Sequence, residues 1–198
     1  MTEQLVGASV LPVMMDPFQG ALYFLLAKER YHSTWSEGSN LWTDLGGRQQ
    51  PGETAEQVAA REFVEETLGQ VKFFEADVVP RTSYQDIAQA LKQGHYVLQF
   101  SHVQHGTRFV TFVVHLPWDP SVPARFVAAR EAYETQETRE ECCLEKSDLG
   151  LFSVCQVTLS LRNKGYLTTS MSERCCSILT EALSLVLPEL QFHFPNLF

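Results

Sequence analysis

Glu62, Glu65 and Glu66 stand at i, i+3 and i+4 in the segment GRQQPGETAEQVAAREFVEETLG, which runs from Gly47 to Gly69. On a helix of 3.6 residues per turn this spacing projects three carboxylates from neighbouring points of one face. Like charges so placed repel one another, and the arrangement costs stability unless a cation sits among them. A hard divalent metal is the cation that a cluster of carboxylate oxygens suits.

Local signals build the helix that must carry these acids. Thr54 can cap its start while Gln57, three residues on, reaches back as a capping-box partner, and Pro51-Gly52 supplies the turn before it. Ala60, Phe63, Val64 and Thr67 form an apolar back on the side away from Glu62 and Glu66, so the acids are expected to face outward. Gly69, just past the last acidic turn, is placed to end the helix.

Gly47, Glu53, Arg61, Glu62, Phe63, Glu65 and Glu66 fall in the register of the Nudix hydrolase signature, which this segment resembles. That pattern is a glycine, five residues, Glu, seven residues, Arg-Glu, an apolar residue, any residue, Glu-Glu, any residue, glycine and an apolar residue. It departs at the end: Leu68 stands where the pattern has glycine, and the glycine arrives one residue later as Gly69. The expectation is a helix one residue longer before its C-cap. The resemblance implies hydrolysis of a nucleoside diphosphate linked to another group, with Mg²⁺ or Mn²⁺ at the acidic helix. A metal there would neutralise charge on the leaving phosphate and orient or acidify the attacking water. The resemblance also makes Glu62, Glu65 and Glu66 metal ligands, with the backbone carbonyl of Gly46 completing the shell. It pairs Arg61 with Glu53 as a brace between loop and helix, a supporting role that orients the ligands. The general base stays open between a glutamate of the signature and a later carboxylate, with Glu131, Glu134, Glu137, Glu140, Glu141 and Glu145 all candidates.

Substrate phosphates would need cations, and Lys28, Arg30 and Arg48 are the basic residues nearest in sequence to the acidic helix. Of these Arg48, within the signature loop, is the best placed. Trp35 and Tyr31, in the polar stretch YHSTWSEGSN, are candidate platforms for a nucleobase, whereas Trp42 is expected in the core. A small-molecule nucleotide is the favoured substrate. An mRNA-decapping member of the same family and a nucleotide-binding module without turnover are the alternatives. A formal charge of −9 and the absence of any dense Lys/Arg run argue against strong, sequence-independent nucleic-acid binding.

With 198 residues and 44% hydrophobic content, the chain can fill one good core, so one domain over residues 1–198 is expected. No apolar run is long enough to span a bilayer, and the start MTEQLVGASVLPVMM lacks a basic signal-peptide region. Five cysteines without CxxC spacing point to a reducing compartment, hence the cytosol, with the nucleus not distinguished from it.

Apolar runs predict strands over Leu5 to Met14 and Ala21 to Ala27, and an extended segment over Asn40 to Leu45 that leads into the glycines. After the acidic helix come a predicted strand over Val71 to Val79, a short helix over Tyr84 to Lys92, and a hairpin of HYVLQFSHV with RFVTFVVHL. The proline-rich PWDPSVPARF reads as a loop and Val127 to Glu141 as a helix. Leu151 to Val157 reads as a last strand and Met171 to Leu187 as a last helix. This order is that of an α/β fold in which a mixed sheet lies between helices, and it matches the alpha/beta/alpha sandwich that the Nudix resemblance implies.

Overall fold

In the computed structural model, which describes residues 4–33, 39–74, 83–104, 107–136, 144–163 and 171–193, the central strand is β1 (Gln4–Asp16). Its length lets it serve two partners on one side. Gly7 to Val10 pair antiparallel with β4 (Leu45–Arg48), and Val13 to Asp16 pair antiparallel with β2 (Ala21–Glu29). On its other side β1 runs parallel to β6 (Thr107–Leu116), which forms a hairpin with β5 (Leu98–Gln104). β3 (Trp42–Thr43) and β7 (Lys146–Ser153) both pair antiparallel with β2, completing a mixed seven-stranded sheet.

Alternation along the strands sorts side chains onto two faces. Ala8, Val10 and Met14 of β1, Leu25 and Ala27 of β2, and Val110, Phe112 and Val114 of β6 pack with α1 (Ala55–Thr67), α2 (Tyr84–Lys92) and α3 (Val122–Glu134). Leu11, Val13, Phe24, Leu26 and Val113 face the other way, against α4 (Val154–Asn163) and α5 (Glu173–His193). The result is the expected layering of helices on both faces of a mixed sheet. In the middle, the Ser9 and Thr111 hydroxyls, which face each other in the β1–β6 register, share a 3.0 Å hydrogen bond that satisfies both buried groups.

Several local expectations change. Around Val71 the chain forms bends rather than a strand over residues 70–74, and the rest of that predicted strand lies outside the described residues. Within PWDPSVPARF the helix α3 already begins at Val122, because Pro123 sits in the first turn, where its missing N–H costs nothing. The last strand starts earlier than the apolar run suggests and ends at Ser153. There the Ser153 hydroxyl accepts the Gln156 backbone N–H and the Gln156 side chain accepts that of Ser153, which starts α4. Ser172 similarly accepts the Cys175 N–H, so the final helix starts at Glu173 rather than Met171.

Candidate functional site

Helix α1 starts as its sequence dictates. The Thr54 hydroxyl accepts the Gln57 backbone N–H, and the Gln57 side chain accepts the Thr54 N–H at 2.9 Å. It ends differently from expectation. The helix is not extended past the signature: Thr67 is its last residue, and Leu68 itself takes the left-handed conformation, φ 51° and ψ 30°. Gly69 follows, also at positive φ, and donates its N–H to the Val64 carbonyl, closing the wider loop that caps such ends. A leucine there costs about 1–2 kcal/mol against glycine. Its side chain packing against the core offsets that cost.

The acids do not face outward either. Val58, Ala59, Ala60, Phe63 and Thr67 form the buried back of α1, but Glu62 and Glu66 are buried as well, between the helix and strands β4 and β7. Glu62 lies against the β4 backbone so closely that a Cβ on Gly47 would overlap its carboxylate. Glu66 accepts from Lys146 Nζ at 2.8 Å, and the same ammonium contacts Glu29 of β2. Glu65 is the more open of the three.

Arg61 ties the outer acids together. Its guanidinium donates to Glu53 at 2.8 Å, to Glu62 Oε1 at 2.9 Å, to Glu65 Oε2 at 3.1 Å and to the Arg48 carbonyl at 3.0 Å. Loop and helix are thus clamped by one side chain. The Arg61 hydrogen bonds hold the Glu53 carboxyl below its ordinary value of 4.5. A depressed folded pKa stabilises the fold above about pH 4.5, and the contribution fades as pH falls through the lowered value. Glu53→Gln is therefore expected to lose ~1 kcal/mol or less at pH 7, since solvent screens the pair, and the gap is expected to narrow toward about pH 3. Urea unfolding at both pH values checks this, and an undiminished gap at low pH would contradict it.

Burial pushes the Glu62 carboxyl up; Arg61 pulls it down, and Glu65 and Glu145 push it up further. Glu145, just before β7 and like Glu131 exposed, is raised by partial desolvation and by Glu29 and Glu65 against the pull of Lys146. Of the later carboxylates proposed as a base, Glu145 is the one among the described residues whose charge acts on Glu62. Glu134 is engaged with Arg130, Glu131 is exposed, and Glu137, Glu140 and Glu141 lie outside the described residues. Burial alone would lower Lys146, but Glu66 and Glu29 outweigh it and hold the ammonium charged.

The other expected contacts separate. Lys28 lies 5.8 Å over the Trp42 ring, and Arg30 reaches Glu134 at 4.0 Å, so neither side chain joins the ion pairs of the acidic cluster. Trp42 packs edge-on against Phe152 in the second core, and Tyr31 is exposed. Trp35 lies outside the described residues. Arg48 is exposed beside the cluster, and Gly46 sits next to Gly47 in β4, packed on Ser9. Sequence reasoning missed Lys146, Glu29 and a further ion pair, Arg174 with the fully buried Asp44 at 3.0 Å. A lysine directly after Glu145 was the available signal for the first; no periodicity marks a buried ammonium.

A divalent cation fits the donor chemistry, which is all oxygen. The Glu66 Oε2 atom is buried with no hydrogen-bond partner among the described residues, so one carboxylate oxygen beside Glu62 is unused by them. As they stand, however, no three His, Cys, Asp or Glu side chains among the described residues converge closely enough to hold an ion. Arg61 and Lys146 occupy the places between them.

Comparison with known proteins speaks to the family and the fold. The NUDIX domain model matches residues 5–141. A mutT/nudix family protein from Listeria innocua superposes with a TM-score of 0.50 at 16% identity, covering 97% of this chain and 99% of that one. A C. elegans Ap4A hydrolase in a binary complex gives 0.49 at 12% identity, covering 92% and 98%, and the Nudix hydrolase RenU from M. smegmatis gives 0.49 at 14%, covering 92% and 86%. No curated protein matches the sequence. The match over residues 5–141, the register of the acidic helix and the α/β/α layering together establish that the chain belongs to the NUDIX domain family, as a hydrolase acting on pyrophosphate bonds.

Proposed function

We propose that the chain, acting as one domain, hydrolyses the diphosphate linkage of a small nucleoside diphosphate derivative with Mg²⁺ or Mn²⁺ bound at α1. One observation carries this reading. Glu29, Glu53, Glu62, Glu65 and Glu66 are gathered along α1 with Glu145 acting on them through its charge, and among the described residues the first five share the side chains of Arg61 and Lys146 as contacting cations. The excess negative charge fits a divalent ion and the phosphates it would bring.

Glu62, Glu65 and Glu66 would hold the metal, with the Gly46 carbonyl. When bound, it would neutralise charge on the leaving phosphate and acidify a coordinated water. The chain's own residues do the rest. Arg61 fixes the rotamers of Glu62 and Glu65, and Glu53 fixes Arg61. Glu145, just before β7 and raised in pKa partly by the charge of Glu65, would accept the proton of the attacking water. Arg48, exposed at the edge of the signature loop, is placed to meet substrate phosphate. A cytosolic setting accords with the absence of a disulfide at Cys155 and Cys175, and among the described residues no helix is long and apolar enough to cross a membrane.

The test is a panel of nucleoside triphosphates, nucleotide sugars, dinucleoside polyphosphates and capped RNA, incubated with Mg²⁺, Mn²⁺ or EDTA and resolved by product mass. Cleavage within a diphosphate of a small nucleotide, abolished by EDTA, is the expected result. Turnover undiminished by EDTA would refute the metal, and cleavage confined to capped RNA would replace the small-molecule reading with the decapping one.

A further inference from the structure

Resting on that hydrolytic reading, we propose that a cavity walled by Arg48, Phe109 and Arg174 is the subsite for the nucleoside monophosphate half of the substrate. The base lies on the Arg174 guanidinium, and the adjoining phosphate lies on Arg48.

The cavity, about 570 Å³, is lined by Gly47, Arg48 and Gln49 of the signature loop together with Val6, Phe109 and Arg174. Its size falls within the range of small-molecule sites. Its position ties it to the chemistry, because Gly47 is both its edge and the residue against which the Glu62 carboxylate packs. Gly47 thus has the Glu62 carboxylate on one face of β4 and the cavity on the other, and in the proposal the diphosphate crosses the strand edge there. The floor is close-packed: a Cβ on Gly7 would overlap both the Gly47 carbonyl and the Phe109 ring, so only glycine lets these three meet. A second cavity of about 430 Å³ also borders Val6, Phe109 and Arg174.

Arg174 is built for recognition rather than for solvation. Its guanidinium carbon lies 4.7 Å from the Phe109 ring centroid, and its Nη2 donates to Asp44 Oδ1 at 3.0 Å. Asp44 is wholly buried, yet the Arg174 side chain remains 41% exposed. The planar cation is thus anchored from below by an aromatic ring, from the side by a carboxylate, and left open toward the cavity. Such a fixed guanidinium plane stacks readily on a nucleobase. Arg48, by contrast, is exposed and makes no ion pair among the described residues, which suits a cation that waits for a phosphate. Arg174 also lies outside residues 5–141, so the portion of the chain following the matched segment supplies this contact.

Calorimetry on the full chain in EDTA tests the subsite apart from hydrolysis, with AMP, GMP, CMP and UMP as probes and ribose 5-phosphate as the baseless control. At least one nucleoside monophosphate is expected to bind, about tenfold more tightly than ribose 5-phosphate. Arg174→Lys keeps a cation on Asp44, and with it the thermal midpoint, but is expected to lose about tenfold for the nucleotide and nothing for ribose 5-phosphate. Arg48→Ala is expected to weaken both. If Arg174→Lys fails to fold, Phe109→Leu, which removes the ring beneath the guanidinium, carries the same test. Equal nucleotide affinity in wild type and variant, ribose 5-phosphate binding as tightly as every nucleotide, or no nucleotide binding at all would overturn the proposal. Intact nucleotide binding without hydrolysis of any panel member would refute the hydrolytic reading and leave the subsite standing.

Discussion

Glu65→Gln is expected to lower kcat by about a hundredfold or more, equivalent to ~3 kcal/mol of transition-state stabilisation, while leaving the fold intact. Glu65 is the acid of the cluster that can lose its charge at least structural cost. It is partly open to solvent, and its contact is a single Arg61 nitrogen at 3.1 Å, which a glutamine oxygen can still accept. Removing only the charge therefore weakens the site's claim on a divalent cation without opening a cavity. Steady-state rates at saturating Mg²⁺ or Mn²⁺, paired with urea denaturation, separate the two effects. A variant within fivefold of wild type would remove Glu65 from the catalytic set. Glu66→Gln is a less clean probe, since that side chain is wholly enclosed and bound to Lys146, so loss of rate there would mix with loss of stability.

The largest stability effect is expected at Lys146. Replacing it by methionine leaves Glu66 and Glu29 facing each other across a buried space without their cation, a change that typically costs about 3–5 kcal/mol. Much of that cost is the penalty of an uncompensated charge rather than the value of the pair. Combining Lys146→Met with Glu66→Gln is accordingly expected to recover part of it, giving a non-additivity of about 1–3 kcal/mol. Chemical denaturation of the single and double variants measures this coupling. A Lys146→Met protein within about 1 kcal/mol of wild type would mean that the ammonium contributes little to the fold.

What was legible in the sequence follows from which interactions are local. The capping box at Thr54 and Gln57 and the limits of the helix over Tyr84–Lys92 depend on neighbours a few residues apart, and they form as read. The strand run ALYFLLAKE and the hairpin of β5 with β6 are likewise legible, because alternation and a short connection carry them. The direction in which the acids point was not legible. Glu62 and Glu66 look like a solvated face until Gly47 of β4 and the distant Lys146 are brought against them, and the partners of the Glu66–Lys146 pair lie far apart in sequence. The same limit hid Arg174, whose role depends on Asp44 and Phe109 meeting it in space. At Leu68 the sequence misled for another reason. A glycine one position on suggested a longer helix, whereas packing of the leucine side chain against the core makes the left-handed turn tolerable without one.

Strand β7 carries one more lesson. It lies beyond the segment by which the family is recognised, yet it zips along most of β2 and delivers Lys146, with Glu145 just before it, to the acidic helix. Inheritance and folding thus draw different borders through this molecule. Two proteins could share the recognisable part residue for residue and still run their chemistry in unlike electric fields, because the charge that tempers the reaction arrives on what comes after it.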